Sequence, residues 1–429
     1  MKILWLCNIV LPIFSNELGR NSENLGGWLT GALEGLIKDG SFNISVCFPV
    51  INLKKMKTGQ VNKVTFFAFP QTELNPSVYN SKIELYLNEI IQLTQPDVVH
   101  IFGTEFAHTL AMVNVCERNK ILDKVVINIQ GLCSIISMHY LIGIPIEQQK
   151  RYTFHDWIKR DNLLNQKNKF TKRGENEILA LQKVQNVIGR TEWDFACTKQ
   201  INPNLIYFSC NENLRNSFYN NKWSINKCKL HSIFVSQWDY PIKGFHFMLE
   251  AMPIILLKHP DTHLFTTGVN PLELRKLSQK ARLTSYQKFI AMLIEKYELE
   301  NYVTFLGNLS EEKMCECYLA ANVFVSPSLI ENESNSLSEA KILGVPSVAS
   351  YVGGVVERIN HGVDGFLYQQ DAPYMMAHFI DKIFSSDSLA IQFSENARKT
   401  AMIMHNIENN ISQLSIIYSK IYSTAKVRT

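Results

Sequence analysis

The chain has 429 residues, 46% apolar and 19% charged, with a formal charge of +4. It is too long for one ordinary core and suits two domains of about 200 residues each, and its composition excludes a disordered or fibrous protein. Nine cysteines, an odd number without C-x-x-C spacing, argue against a disulfide framework and lead us to expect reduced thiols in a cytoplasmic protein.

At the N-terminus, Lys2 and the apolar run from Ile3 to Leu11 faintly imitate a secretion signal. Asn8 interrupts that run and no small-residue cleavage site follows, so it reads as a first buried strand. Short β-rich apolar runs recur at 2–7, 44–48, 64–69, 98–102 and 124–129, with helical patterns at 27–37, 83–93 and 106–116 between several of them. Such alternation predicts a parallel sheet with helices on both faces. The second half repeats the pattern, with strands expected at 233–236, 263–267, 303–306, 322–326 and 347–350.

The fold class is therefore α/β, with two Rossmann-like doubly wound domains at 1–215 and 230–405. The polar stretch 209–229 divides them, and a last helix at 406–429 is a candidate to cross back to the first domain. Beyond Gly244, the residues Phe245, Met248, Leu249, Met252 and Ile255 have helical spacing, and Pro253 predicts a kink or a break near 251–253. No apolar run approaches the roughly 18 residues needed to span a bilayer.

Most of the functional information lies between residues 330 and 340, where Glu331 and Glu339 stand eight positions apart around a Ser/Asn cluster. A buried strand is expected before them, and a helix over 337–343, stopped by Gly344 and Pro346, after them. The amides of Asn335, Ser336 and Leu337 would then point out of a helix N-terminus, where the macrodipole favours a phosphate. A carboxylate can accept from two neighbouring hydroxyls, so Glu331 and Glu339 could hold a sugar and a ribose at opposite ends of a nucleoside diphosphate-sugar. Taken alone, two glutamates around a helix start are more often just capping and solvated charge.

Other segments add to that loop. Gly26 and Gly27 precede the first helix and let backbone approach a ligand closely. Gln237 follows a strand, and Lys243 then stands at a helix start, as a diphosphate clamp or as an ordinary surface lysine. A second glycine-rich loop, with Gly353, Gly354 and Glu357, follows the strand at 347–350. Arg190 follows the strand at 186–188 and either pairs with a glutamate or faces a ligand.

Together these motifs resemble the retaining glycosyltransferases of the GT-B fold, family 4-like (glycosyl transferases group 1), over essentially the whole chain and most clearly from 232 to 367. The family's E-x7-E motif is matched by Glu331 and Glu339, its Lys-Gly by Lys243 and Gly244, and its Gly-Gly-x-x-Glu by Gly353, Gly354 and Glu357. The resemblance implies two domains facing a cleft. Glu331 would contact the transferred sugar and Glu339 the ribose. Lys243 and the amides of Asn335, Ser336 and Leu337 would hold the diphosphate, and Gly26 and Gly27 would line the cleft.

It also implies that the acceptor attacks on the face of departure, with the leaving phosphate taking the proton. Two positions depart from the family pattern. Gln237 stands where an arginine is frequent, leaving Arg190, Lys341 or another cation to supply the charge, and Gln130 stands where a histidine is frequent, so Gln130 or His139 would make that contact.

No D-x-D occurs in the chain, and no metal or other cofactor is expected. The partners implied are a nucleotide-sugar donor and a glycan or polyprenyl-diphosphate-linked acceptor, in cell-surface polysaccharide biosynthesis, with no nucleic acid. Residues 150–173 carry eight basic residues against Asp156 and Asp161, with Tyr152, Phe154, Trp157 and Phe170 among them. This run reads as a first-domain insertion on the acceptor side suited to an anionic membrane surface at the inner face, or as a solvated loop. The rival functions are a sugar-nucleotide epimerase on the same fold, exposed by epimer formation without acceptor, and a catalytically silent nucleotide-binding scaffold, discarded by turnover.

Overall fold

Side chains alternate across a strand, and the first strand, β1 (Lys2–Leu6), shows what that does here. Ile3 and Trp5 enter one core, Leu4 and Leu6 the other, and all four are buried because helices cover both faces of the sheet. The computed structural model describes residues 1–19, 26–71, 75, 77–273 and 281–428. Leu25, which precedes the Gly26-Gly27 pair, lies outside them.

The remaining strands of the first sheet are β2 (Asn43–Val50), β3 (Lys57–Val61), β4 (Val64–Pro70), β5 (Val98–Phe102), β6 (Val125–Asn128), β7 (Asn186–Gly189) and β8 (Ile206–Ser209). They lie in the order β3-β4-β2-β1-β5-β6-β7-β8, parallel except for the β3–β4 pair. The second sheet holds β9 (Lys229–Val235), β10 (His263–Thr266), β11 (Val303–Phe305), β12 (Ala321–Ser326), β13 (Ser347–Ser350) and β14 (Phe366–Tyr368), all parallel, in the order β11-β10-β9-β12-β13-β14. Two doubly wound α/β units are thus present. Among the described residues, no helix is long and apolar enough to cross a membrane.

Contacts group Met1–Ser137, Lys169–Asn213 and the residues from His405 on as a first unit, and Met138–Asn168 with Leu214–Met404 as a second. The last helix, Ile407–Arg428, belongs to the first unit because its Tyr418 hydroxyl accepts from the Trp5 indole at 2.9 Å and meets His100 Nδ1 at 2.7 Å. Leu414, Ile417 and Ile421 complete that core.

Three expectations are corrected. The run 150–173 is neither one first-domain insertion nor a loop: Met138–Asn168 packs with the second unit, and the run's second half enters the helix Leu163–Lys183. There Phe170 is buried beneath the Arg173 guanidinium, 4.6 Å from the ring centre, and Arg173 Nε donates to the Glu105 carbonyl. Pro253 does not break its helix, which runs from Phe245 to Leu256 with eight buried residues; the packed face outweighs one lost hydrogen bond. Strands β3, β8 and β14 were not foreseen. β3 and β8 are edge strands with little burial, and β3 is joined to β4 by Asn62 and Lys63, both at positive φ as a tight hairpin turn requires.

The loops after β5 and β6 are tied together by one carboxylate. Glu177, 1% exposed, accepts from the hydroxyls of Thr104 and Ser134 at 2.6 Å each and from the amides of Cys133 (2.9 Å) and Ser134 (3.1 Å). Burial outweighs those donors and pushes its pKa up to about 7. A raised carboxyl pKa gives a stability contribution that is full below the unfolded value near 4.5 and is lost as pH rises through about 7. We therefore expect Glu177→Gln to flatten the stability profile between those limits, removing a slope worth up to about 3 kcal/mol. Urea titrations of both proteins at pH 5 and pH 8 check this, and equal pH dependence in the two would contradict it.

Candidate functional site

In the second unit the chain lays β10 and β11 on one side of β9 and then returns to lay β12 on the other. At such a switch point the loops leaving the carboxyl ends of the two central strands diverge and leave a crevice. The loop after β9 carries Gln237 and Lys243. The loop after β12 carries Ser328 and Glu331.

Those loops meet in an ion pair between the Lys243 ammonium and Glu331 Oε1, which also accepts from the Ser328 hydroxyl at 3.0 Å. Two glycines make the approach possible. Gly244, at φ 65°, lies where any Cβ would strike the Pro327 carbonyl, and the Leu329 amide donates to the Ile242 carbonyl at 2.8 Å. Gly353, at φ 46°, lies where a Cβ would strike the Glu331 carbonyl, and the Gly354 amide donates to that same carbonyl at 3.0 Å. Both glycine motifs thus serve the backbone that presents Glu331.

The helix beyond the loop is Asn335–Leu343, closed by Gly344 at φ 78°. Ser334 caps it, its hydroxyl accepting from the Leu337 amide at 3.4 Å. This corrects one expectation: Leu337 is fully buried and its amide serves the cap, leaving those of Asn335 and Ser336 in the first turn for an anion.

Glu339 is 7% exposed and receives two contacts on Oε1, from Arg215 Nε at 2.8 Å and from the same guanidinium at 2.6 Å. Burial raises its pKa although Arg215 and Tyr318 oppose the shift. The Tyr318 hydroxyl donates to the Ser336 carbonyl at 3.1 Å and so braces the same helix turn. Sequence reasoning missed Arg215 and Tyr318. Ser328, two residues past the strand end, was legible as a loop hydroxyl; nothing in the pattern linked Arg215 to a glutamate 124 positions away.

The other candidate cations are committed elsewhere. Lys341 is buried against Asp364 at 2.9 Å and donates to the Arg358 carbonyl, with burial lowering its pKa. Arg358 pairs with Glu333 at 3.2 Å. In the first unit, Arg190 is 5% exposed and pairs with Glu212 at 2.7 Å while donating to the Ile129 carbonyl at 3.2 Å, the glutamate pairing that was one of its two expected arrangements. Gln237 is exposed, and among the described residues its amide reaches Asp239, at 3.4 Å.

Gln130 donates to Glu212 Oε1 at 2.6 Å and to Asn128, which leaves its carbonyl oxygen as the group to offer. His139 ends the helix Cys133–His139, half-buried, and groups with the second unit. Gly26, at φ 69°, is the N-cap of the helix Gly27–Asp39, and a Cβ there would run into Ile9.

Two doubly wound α/β sheets, with this loop set at the switch point of the second, make up the GT-B fold. The chain superposes on sucrose-phosphate synthase from Thermosynechococcus elongatus with TM-score 0.70 at 15% identity, covering 99% of each chain. On the Anabaena protein HepE in complex with UDP the TM-score is 0.66 at 15% identity, covering 98% of this chain and 100% of that one. Residues 216–400 match the model for glycosyl transferases group 1. An uncharacterised glycosyltransferase of Methanocaldococcus jannaschii is 26% identical over 186 residues, 43% of this chain and 44% of that protein. The match spans less than half the length of the curated relatives.

The close approach at Gly353 has a measurable cost in stability when a side chain is added. Gly362 also has positive φ, 77°, but nothing stands within 4 Å of an added Cβ. Gly362→Ala should cost about 1 kcal/mol of backbone strain, and Gly353→Ala more than about 2 kcal/mol, because the Glu331 carbonyl must also move. Denaturant midpoints with unchanged slopes measure both; equal losses would contradict the close-approach role.

Proposed function

We propose that the chain is a retaining glycosyltransferase, moving a sugar from a nucleoside diphosphate-sugar to a glycan or polyprenyl-diphosphate-linked acceptor in cell-surface polysaccharide biosynthesis on the cytoplasmic side. The observation that carries this reading is the Lys243–Glu331 pair at the β9/β12 switch point, one charge of each sign held beside a helix N-terminus. The bond from the sugar's anomeric carbon to the diphosphate breaks and a bond to the acceptor oxygen forms on the same face. The acceptor's proton passes to the departing phosphate oxygen. Negative charge grows on the leaving group, so fixed positive ends are what the site must supply.

In this reading Lys243 turns from Glu331 to the diphosphate, joined by the amides of Asn335 and Ser336. Glu331, released, accepts from hydroxyls of the transferred sugar. Glu339, held on one oxygen by Arg215, offers the other to the ribose. The UDP in complex with HepE makes uridine donors the first to try. No metal is required in this reading, in which Lys243 and the amides of Asn335 and Ser336 face the diphosphate.

Glu339→Ala should weaken binding of free nucleoside diphosphate by about ten- to a hundredfold, whereas Glu331→Ala should leave that binding nearly intact and depress transfer. Calorimetric titration beside a transfer assay separates the two, and equal loss of nucleotide affinity would sink the assignment. Lys243→Ala should nearly abolish transfer while excess EDTA leaves it unchanged. Loss in EDTA with recovery on Mg²⁺ or Mn²⁺ would overturn the metal-free reading.

A further inference from the structure

The helix Phe154–Lys159 is built inside out. Its apolar residues Phe154, Trp157 and Ile158 fall at i, i+3 and i+4, the spacing that ordinarily faces a core. Here they are 58%, 69% and 57% exposed. The fully buried residue of this helix is the charged one, Asp156.

That orientation is fixed rather than incidental. Asp156 forms a reciprocal cap with Thr153, and its carboxylate accepts from the Ser285 amide at 2.9 Å and from the Ser285 hydroxyl. Ser285 Oγ also lies 2.9 Å from the Arg151 carbonyl oxygen. The carboxylate therefore sits at the start of the helix Ser285–Lys296, where the macrodipole favours it, and it locks the short helix with its aromatic face outward. Tyr152 and Ile146, 52% and 66% exposed, extend the apolar area. Exposed cations Lys150, Arg151, Lys159 and Arg160 flank it along the chain, against the exposed Glu147 and the half-buried Asp161.

We infer that this face docks on an anionic lipid bilayer. Aromatic rings with a polar edge belong at the headgroup level, and each cation near an anionic surface strengthens binding roughly fivefold. A second copy of the same face is disfavoured, because an isologous contact would bring the two sets of cations together. The inference stands apart from the transfer chemistry and does not need it.

Full-length protein should co-sediment with vesicles of phosphatidylcholine mixed with phosphatidylglycerol and not with pure phosphatidylcholine, and binding should fall as salt rises from roughly 50 to 500 mM. Changing Lys150, Arg151, Lys159 and Arg160 together to Gln should lower the partition coefficient by more than about a hundredfold. Trp157→Ala with Phe154→Ala should lower it at least about tenfold, with an unchanged melting temperature because both side chains are exposed. Equal binding to neutral vesicles, no binding to either, or retention by both variants overturns the inference. So does self-association that Trp157→Ala abolishes, which would make the face a contact between copies.

Discussion

Everything at the candidate site depends on how closely three loop backbones approach one another. Gly244 against the Pro327 carbonyl and Gly353 against the Glu331 carbonyl are contacts no side chain permits, and both glycines hold positive φ. The loops after β9, β12 and β13 thereby close on a single stretch of chain, and Glu331 is presented from its middle. The Lys243–Glu331 pair, with side chains 25% and 14% exposed, adds little stability of its own at that degree of solvation. Its importance is placement: two opposite charges are held ready at a switch point that the strand order creates.

Other ion pairs, in each unit, hold the scaffold. Lys341–Asp364, Arg358–Glu333 and Arg190–Glu212 are each nearly solvent-free, so desolvation offsets much of their attraction and breaking one partner strands the other. Such pairs fix loops more than they stabilise folding. Arg215–Glu339 is intermediate. Burial pushes the carboxyl pKa up, and the guanidinium, bound through one oxygen, opposes that rise without cancelling it.

The short helix at Phe154–Lys159 obeys the same logic in reverse. An acid buried at a helix N-terminus determines which way a small helix faces, and the apolar side chains follow it outward. Local sequence preference would have turned the helix over. A single satisfied carboxylate, with donors from Thr153 and Ser285, outweighs that preference.

Spacing along the chain determined a good deal by itself. The parallel strands of both units, the helix start after Glu331 and the order of the Lys-Gly, E-x7-E and Gly-Gly motifs were legible, because continuous apolar runs and glycine requirements are written locally. Edge strands β3 and β8 were not, since half-exposed strands carry no apolar run. Tertiary structure alone decided which charges are consumed. Arg190 and Lys341 look like free cations in sequence and prove to be buried partners, while Arg215 reaches Glu339 from a distant stretch. It also split the basic run at 150–173, sending Phe170 and Arg173 into a packed helix and leaving Trp157 outside. The reason is common to all of these: ion pairing and burial depend on which segments meet in space, and sequence separation carries no record of that.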